Sequence, residues 1–294
     1  MEFENPIILA SGILGYSPKS LQRIAKSGAG GIITKSIGMK ARIGYPNPTV
    51  VQADCGIINA MGLPNPGALA YKKEIRYTKN IITVPLIVSV YGYNAEEYAE
   101  VTKIATEAGA DGVELNVSCP HVKETGSEIG QNLKLLTQVI RKVKKSTSKP
   151  VIVKLSPNVT DITKIAQAAI RAGADVLTAV NTVRAIAIDT ETALPILSNT
   201  RGGLSGPAIK PIALRCVYDI YEKVKTPIIG CGGITTWQDA IEFILAGASA
   251  VQIGTVIGEK DLPVFQAINH GIMTYMQKKK YRSIKEIVGK AHFN

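Results

Sequence analysis

The chain has 294 residues, of which 46% are apolar and 19% charged. That balance excludes a disordered or fibrous chain and suits one large α/β unit or two modest domains. The formal net charge of +11 raises a nucleic-acid partner, but the densest basic runs, 141–145 and 278–282, fall in segments that read as outer helices. A solvated helix face explains them, so no nucleic-acid partner is expected.

Cysteines at 55, 119, 216 and 231 include no CxxC pair, which argues against a zinc or iron–sulfur site within the chain. The first residues carry no leader pattern, and no apolar run approaches a membrane span. The expectations are no bound metal, no membrane association and a reducing, cytoplasmic location.

In chain order, short β-branched apolar runs alternate with longer amphipathic segments, the pattern of parallel strands covered by helices. Strands are expected at 7–10, 31–35, 86–90, 112–117, 151–155, 176–180, 228–231 and 250–254. A degenerate repeat at 27–30, 107–111, 171–175 and 245–249 places a glycine between small residues where a helix closes and a strand opens. Pro85, Pro150 and Pro227 each sit just before a strand. These features predict an α/β fold, a (β/α)8 TIM barrel with extended active-site loops, as a single domain over 1–294. The connections too long for simple turns, 36–65, 120–131 and 182–211, follow strand C-termini, where barrels build active sites.

Polar residues gather at the same ends. Ser11, Lys35 with Ser36, Ser89, Asn116, Lys154, Asn181 with Thr182, Gly232 with Gly233, and Gly254 with Thr255 are all expected at one mouth. A lysine ending an apolar strand, as Lys35 and Lys154 do here, costs several kcal/mol to bury unpartnered, so each is expected to face a ligand anion or a carboxylate. The glycine turns after the seventh and eighth strands suit close approach of backbone N–H groups to a phosphate. Cys119 precedes Pro120 and a glycine-containing loop; its thiol could act as a base or be inert, and the residues alone leave both open. Cys55, Cys216 and Cys231 read as inert thiols, and His121 either as a residue that tunes the neighbouring thiol or as a solvated loop histidine.

Four segments carry a more specific resemblance: Asn59-Ala60-Met61-Gly62-Leu63-Pro64-Asn65, Asn116-Val117-Ser118-Cys119-Pro120, Val153-Lys154-Leu155-Ser156-Pro157-Asn158, and the run from Gly202 to Pro211. With Asn5 to Gly12 and Val251 to Thr255, they make the whole chain resemble the class 1 dihydroorotate dehydrogenases, most of all the class 1B catalytic subunits. The resemblance implies an FMN barrel in which Cys119 takes the C5 proton of dihydroorotate while hydride leaves C6 for flavin N5, giving orotate. It assigns FMN to Ser11, Lys35, Ser36, Asn116, Lys154, Val180, Gly206, Gly232, Gly233, Gly254 and Thr255, with Ser89 provisional because the family usually has Asn there. Substrate falls to Lys35, Asn59, Ala60, Met61, Gly62, Leu63, Asn116, Asn181 and Thr182.

His121 and the continuation Thr182-Val183-Arg184 also depart from the family pattern. A homodimeric core and a separate electron-transfer subunit carrying FAD and a 2Fe–2S cluster are implied by resemblance alone. Two other flavin barrels share the Cys-Pro loop, the dihydropyrimidine dehydrogenase module and the tRNA dihydrouridine synthases. For the latter, the stretch after the eighth strand looks too short for an added RNA-binding domain.

Overall fold

A computed structural model describes residues 1–117 and 126–292. Eight parallel strands close into a barrel: β1 Ile7–Leu9, β2 Gly31–Ile33, β3 Leu86–Val90, β4 Gly112–Asn116, β5 Val151–Leu155, β6 Val176–Ala179, β7 Ile228–Cys231 and β8 Ala248–Ile253. Each pairs with its neighbours in sequence, and β8 closes onto β1. The expected strands are therefore all present, three with the expected bounds and five with an end displaced by one or two residues. Lys154 lies within β5, whereas Lys35 stands two residues beyond β2 and does not end it.

A main helix follows every strand: α1 Pro18–Lys26, α2 Ala68–Ile81, α3 Ala95–Glu107, α4 Leu133–Ser146, α5 Ile162–Arg171, α6 Lys210–Lys223, α7 Trp237–Leu245 and α8 Val264–Lys279. In α4 the buried residues Leu136, Val139, Ile140 and Val143 recur at helical spacing, so one stripe packs on the barrel while Arg141, Lys142 and Lys145 stay in solvent.

The repeat turns work through their glycines and, in two cases, an aspartate. Gly109 and Gly173 take φ of +109° and +108°, a region open to glycine at little cost. Asp111 then accepts from the Leu86 N–H and from Lys79, both at 2.7 Å. Asp175 repeats this with the Val151 N–H and Lys144, again at 2.7 Å. Each carboxylate thereby caps the first N–H of the preceding strand. The prolines complement this, since the carbonyls of Pro85, Pro150 and Pro227 accept from Ile32, Val113 and Leu177, where the missing N–H costs nothing.

Alternation along the strands gives the barrel two faces. Outward residues such as Leu9, Val88, Leu115 and Val153 pack under the helices. Inward, Ile8, Ile33, Ile87, Ile152, Ile229 and Ala250 form a separate apolar layer. Two residues further along the strands that interior turns polar, with Ser89, Glu114, Lys154, Thr178 and Gln252 all buried. The floor of the functional end is thus set by the strands themselves.

The long connections after β2 and β6 carry strands of their own. Val50–Ala53, Gly56–Asn59, Gly202–Ser205 and Val183–Ala185 form a four-stranded antiparallel sheet, and Ile188–Asp189 pairs with Leu194–Pro195. Pairing of Asn59 with Gly203 brings the excursion after β2 against the one after β6.

Candidate active site

At the C-terminal ends of the strands, one cavity is lined by Ser11, Lys35, Ser36, Asn59, Met61, Gly62, Leu63, Ser89, Asn116, Lys154, Val180, Asn181, Thr182, Gly206, Gly232, Gly233, Gly254 and Thr255. These are the residues expected at the mouth, with one exception. Ala60 is fully buried behind the lining in a small apolar cluster with Ile58 and Leu197, because alternation along its extended segment turns it away. Cys119 and His121 lie outside the described residues.

The cavity floor is a closed polar network. Lys154 Nζ donates to Gln252 Oε1 at 2.9 Å and stands 3.8 Å from Glu114 Oε1. Gln252 Nε2 donates to Glu114 Oε2 at 2.7 Å, and the Thr178 hydroxyl donates to the same oxygen at 2.9 Å. Burial works against the Lys154 ammonium, but the neighbouring Cys231 sulfur and Glu114 carboxylate overcome it and hold its pKa above the usual value. Burial pushes the Cys231 thiol up, and Lys154 opposes this only in part, so the thiol is protonated at neutral pH.

Cys231 lines the cavity wall facing Lys154, a placement the sequence did not suggest, while its raised pKa agrees with the inert thiol expected there. Glu114, Thr178 and Gln252 were not expected from the sequence. The signal was present, since Glu114 and Gln252 interrupt apolar strands just as Lys154 does, and the same burial cost applies to them.

A second hydrogen-bonded line runs up the wall. Asn116 Nδ2 donates to Ser36 Oγ at 2.9 Å, and Ser36 Oγ lies 2.8 Å from Ser89 Oγ. The Tyr98 hydroxyl donates to the Asn116 carbonyl at 2.9 Å from beneath α3. Ser89 is thus tied to two residues expected to meet a ligand, although it is shorter than the family's asparagine.

Lys35 is half-buried, and its Nζ has no hydrogen-bond or ion-pair partner among the described residues. Burial pulls its pKa down. A cation in that condition gains from a bound anion, because the ligand supplies the counter-charge that the protein withholds. Lys35→Ala is expected to raise the KM for a carboxylate substrate by about tenfold or more, from a lost charge-assisted bond of roughly 1.5–3 kcal/mol. Thermal stability should stay near wild type, since no protein ion pair is broken. Saturation kinetics alongside thermal unfolding check both halves.

On the opposite side lie the glycine turns. At Gly233, φ is +72° and an added Cβ would sit 2.8 Å from the Gly206 carbonyl oxygen and 2.8 Å from the Lys210 backbone nitrogen, so only glycine fits. The backbone N–H groups of Gly232, Gly233, Gly254 and Thr255 donate to no acceptor among the described residues. Uncommitted donors where a side chain would block approach suit a phosphate.

Asp239 in α7 anchors this turn. It accepts from the N–H groups of Thr235 and Thr236, each at 2.9 Å, from both hydroxyls, and from Lys210 Nζ at 2.7 Å. Partial burial disfavours the carboxylate, but Lys210 and the threonine donors outweigh it and hold its pKa down to about 2. Because the folded-state value is depressed from 3.8, the stabilisation is complete above that value and is lost as pH falls towards about 2. Asp239→Asn is expected to flatten this part of the acid-unfolding profile, measured as thermal midpoint against pH.

The sequence model of the dihydroorotate dehydrogenase family matches residues 1–276 of the chain. A relative from Pyrococcus furiosus, named the catalytic subunit of dihydroorotate dehydrogenase B (NAD(+)), is 55% identical over 98% of this chain and 95% of its own length. Relatives of the same name from Methanocaldococcus jannaschii and Methanosarcina acetivorans are 49% and 45% identical, each over 99% of this chain and over 96% and 94% of their own lengths.

Proposed function

Because the chain belongs to the dihydroorotate dehydrogenase family, we propose that it oxidises (S)-dihydroorotate to orotate in pyrimidine (UMP) biosynthesis, with FMN as its flavin and Cys119 as its base. The observation that carries the reading is the cavity itself: segments scattered from Ser11 to Thr255 line it, with a fixed cation at its floor and an uncommitted one in its wall. The working unit is one FMN-binding domain over 1–294.

The residues present fit that flavin. Gly232, Gly233, Gly254 and Thr255 offer free N–H donors for the phosphate, with Gly206 leaving room beside them. Lys154 holds positive charge at the floor and would stabilise negative charge on a bound flavin, and Ser11, Ser36, Ser89, Asn116 and Val180 border the same space. FMN, when bound, supplies the two-electron acceptor for hydride leaving C6 of the substrate.

The remaining work belongs to the chain. Lys35 pairs with the substrate carboxylate, and Asn59, Asn116 and Asn181 offer amides to the ring carbonyls and N–H groups, with Met61, Gly62, Leu63 and Thr182 enclosing them. Ala60 supports that loop from behind. Cys119, three residues after Asn116, removes the C5 proton.

By analogy with the relatives' names, which give NAD(+) and a catalytic subunit, electrons then pass to NAD through a separate subunit. That this subunit carries FAD and a 2Fe–2S cluster, on a homodimeric core in the cytoplasm, follows from the class 1B resemblance alone. No helix among the described residues is long and apolar enough to cross a membrane. The relatives favour neither a dihydropyrimidine dehydrogenase nor a tRNA dihydrouridine synthase. Assays with dihydroorotate, uracil and thymine, using NAD, fumarate, quinones and dyes on protein isolated with any co-purifying subunit, test the whole reading. Turnover of uracil or thymine without dihydroorotate would overturn it.

A further inference from the structure

We infer that Glu114 is a positioning residue for this site: from inside the barrel it fixes Lys154 through Gln252 and supplies the counter-charge that keeps an ammonium at the cavity floor. The flavin consequence rests on the reading above, whereas the placement of Lys154 does not.

Glu114 is fully buried, and its two oxygens are used unequally. Oε2 accepts from Gln252 at 2.7 Å and from Thr178 at 2.9 Å. Oε1 has no hydrogen bond among the described residues and faces Lys154 Nζ at 3.8 Å. Gln252 bridges the pair, giving its amide N–H to the carboxylate and its carbonyl to Lys154. The amide's orientation is thereby fixed, and with it the position of Nζ.

The other titratable group facing Lys154 is Cys231 on β7; its sulfur supports the ammonium electrostatically once ionised, but burial pushes the thiol up, so at neutral pH it keeps its proton. Lys35 lines the same cavity and adds a like charge, which makes a counter-ion more necessary. At neutral pH Glu114 is then the one anion that faces Lys154 among the described residues. A buried ammonium deprived of its anion sheds its proton far more readily.

The first test needs no flavin. In ¹⁵N-lysine NMR of the apoprotein, with the Lys154 signal assigned by its absence from Lys154→Met, wild type and Glu114→Asp should keep Lys154 charged to about pH 9. Glu114→Gln, which preserves shape and hydrogen bonds, should make Lys154 at least tenfold more acidic. An unchanged titration in Glu114→Gln overturns the inference. Should that variant fail to fold, Gln252→Met removes the bridge alone and must shift Lys154 in the same direction, or the inference falls.

The second test reads bound flavin. At about pH 6 the uncompensated lysine of Glu114→Gln should favour reduced over oxidised flavin by about tenfold more than wild type, ~30 mV for a two-electron couple. That excess should fall away as pH rises through the Lys154 titration that NMR reads in the same variant. A merely structural Glu114 gives an offset that does not change with pH, which contradicts the inference. Wild-type protein that retains no flavin refutes the flavin reading and leaves the NMR result standing.

Discussion

Replacing Cys119 with Ala is expected to slow reduction of bound flavin by dihydroorotate by about 10²–10⁴-fold, the range for loss of a general base. Flavin content should be unchanged, because the residues assigned to the cofactor do not include Cys119. The substrate's C5 proton must leave as hydride departs C6, and neither cation can accept it. Lys154 is held charged by Glu114, and Lys35 is engaged by the carboxylate in the proposed complex. Cys231 carries its own proton at neutral pH, so it cannot substitute. Cys119→Ser should retain weaker activity that rises with pH, because a hydroxyl gives up its proton less readily than a thiol. Rapid-mixing absorbance of the flavin band reads both variants. A loss confined to protein yield or thermal stability would assign Cys119 a packing role.

The second large effect is at the floor. Lys154→Met leaves the fully buried Glu114 without its cation, and removing one partner of a buried pair costs about 3–5 kcal/mol. Pairing it with Glu114→Gln removes the stranded charge, so the double variant should recover more than half of that loss. Flavin affinity should not recover with it, since no cation returns to the floor. Denaturant unfolding and flavin titration separate the two. Strictly additive losses in stability would mean that Glu114 and Lys154 do not act as a pair.

The barrel was legible because each of its strands is a short, mainly apolar run, and the turns between them repeat the same chemistry. The repeat at 107–111 and 171–175 states in sequence what Asp111 and Asp175 do in the fold. The added antiparallel sheet was not legible. Its strands, such as Val50–Ala53 and Val183–Ala185, are short and partly exposed, and their pairing depends on contacts between distant segments.

At the site, Lys35 and Lys154 were found by asking what it costs to bury a charge, and that question put to Glu114 and Gln252 would have found the rest of the floor. That Cys231 would line the cavity was not legible, because nothing in its own segment reveals that Lys154 lies across from it. Ala60 was misplaced because a motif read as one unit hides which residues alternate away from the cavity. Cys119 falls outside the described residues, so its role rests on the family motif and on its place just after β4.

The most direct measurement is anaerobic mixing of purified protein with (S)-dihydroorotate while the flavin absorbance is followed and the product quantified. The account predicts bleaching of the oxidised flavin band with one orotate formed per flavin. It would be contradicted by a flavin that dithionite reduces and dihydroorotate leaves oxidised.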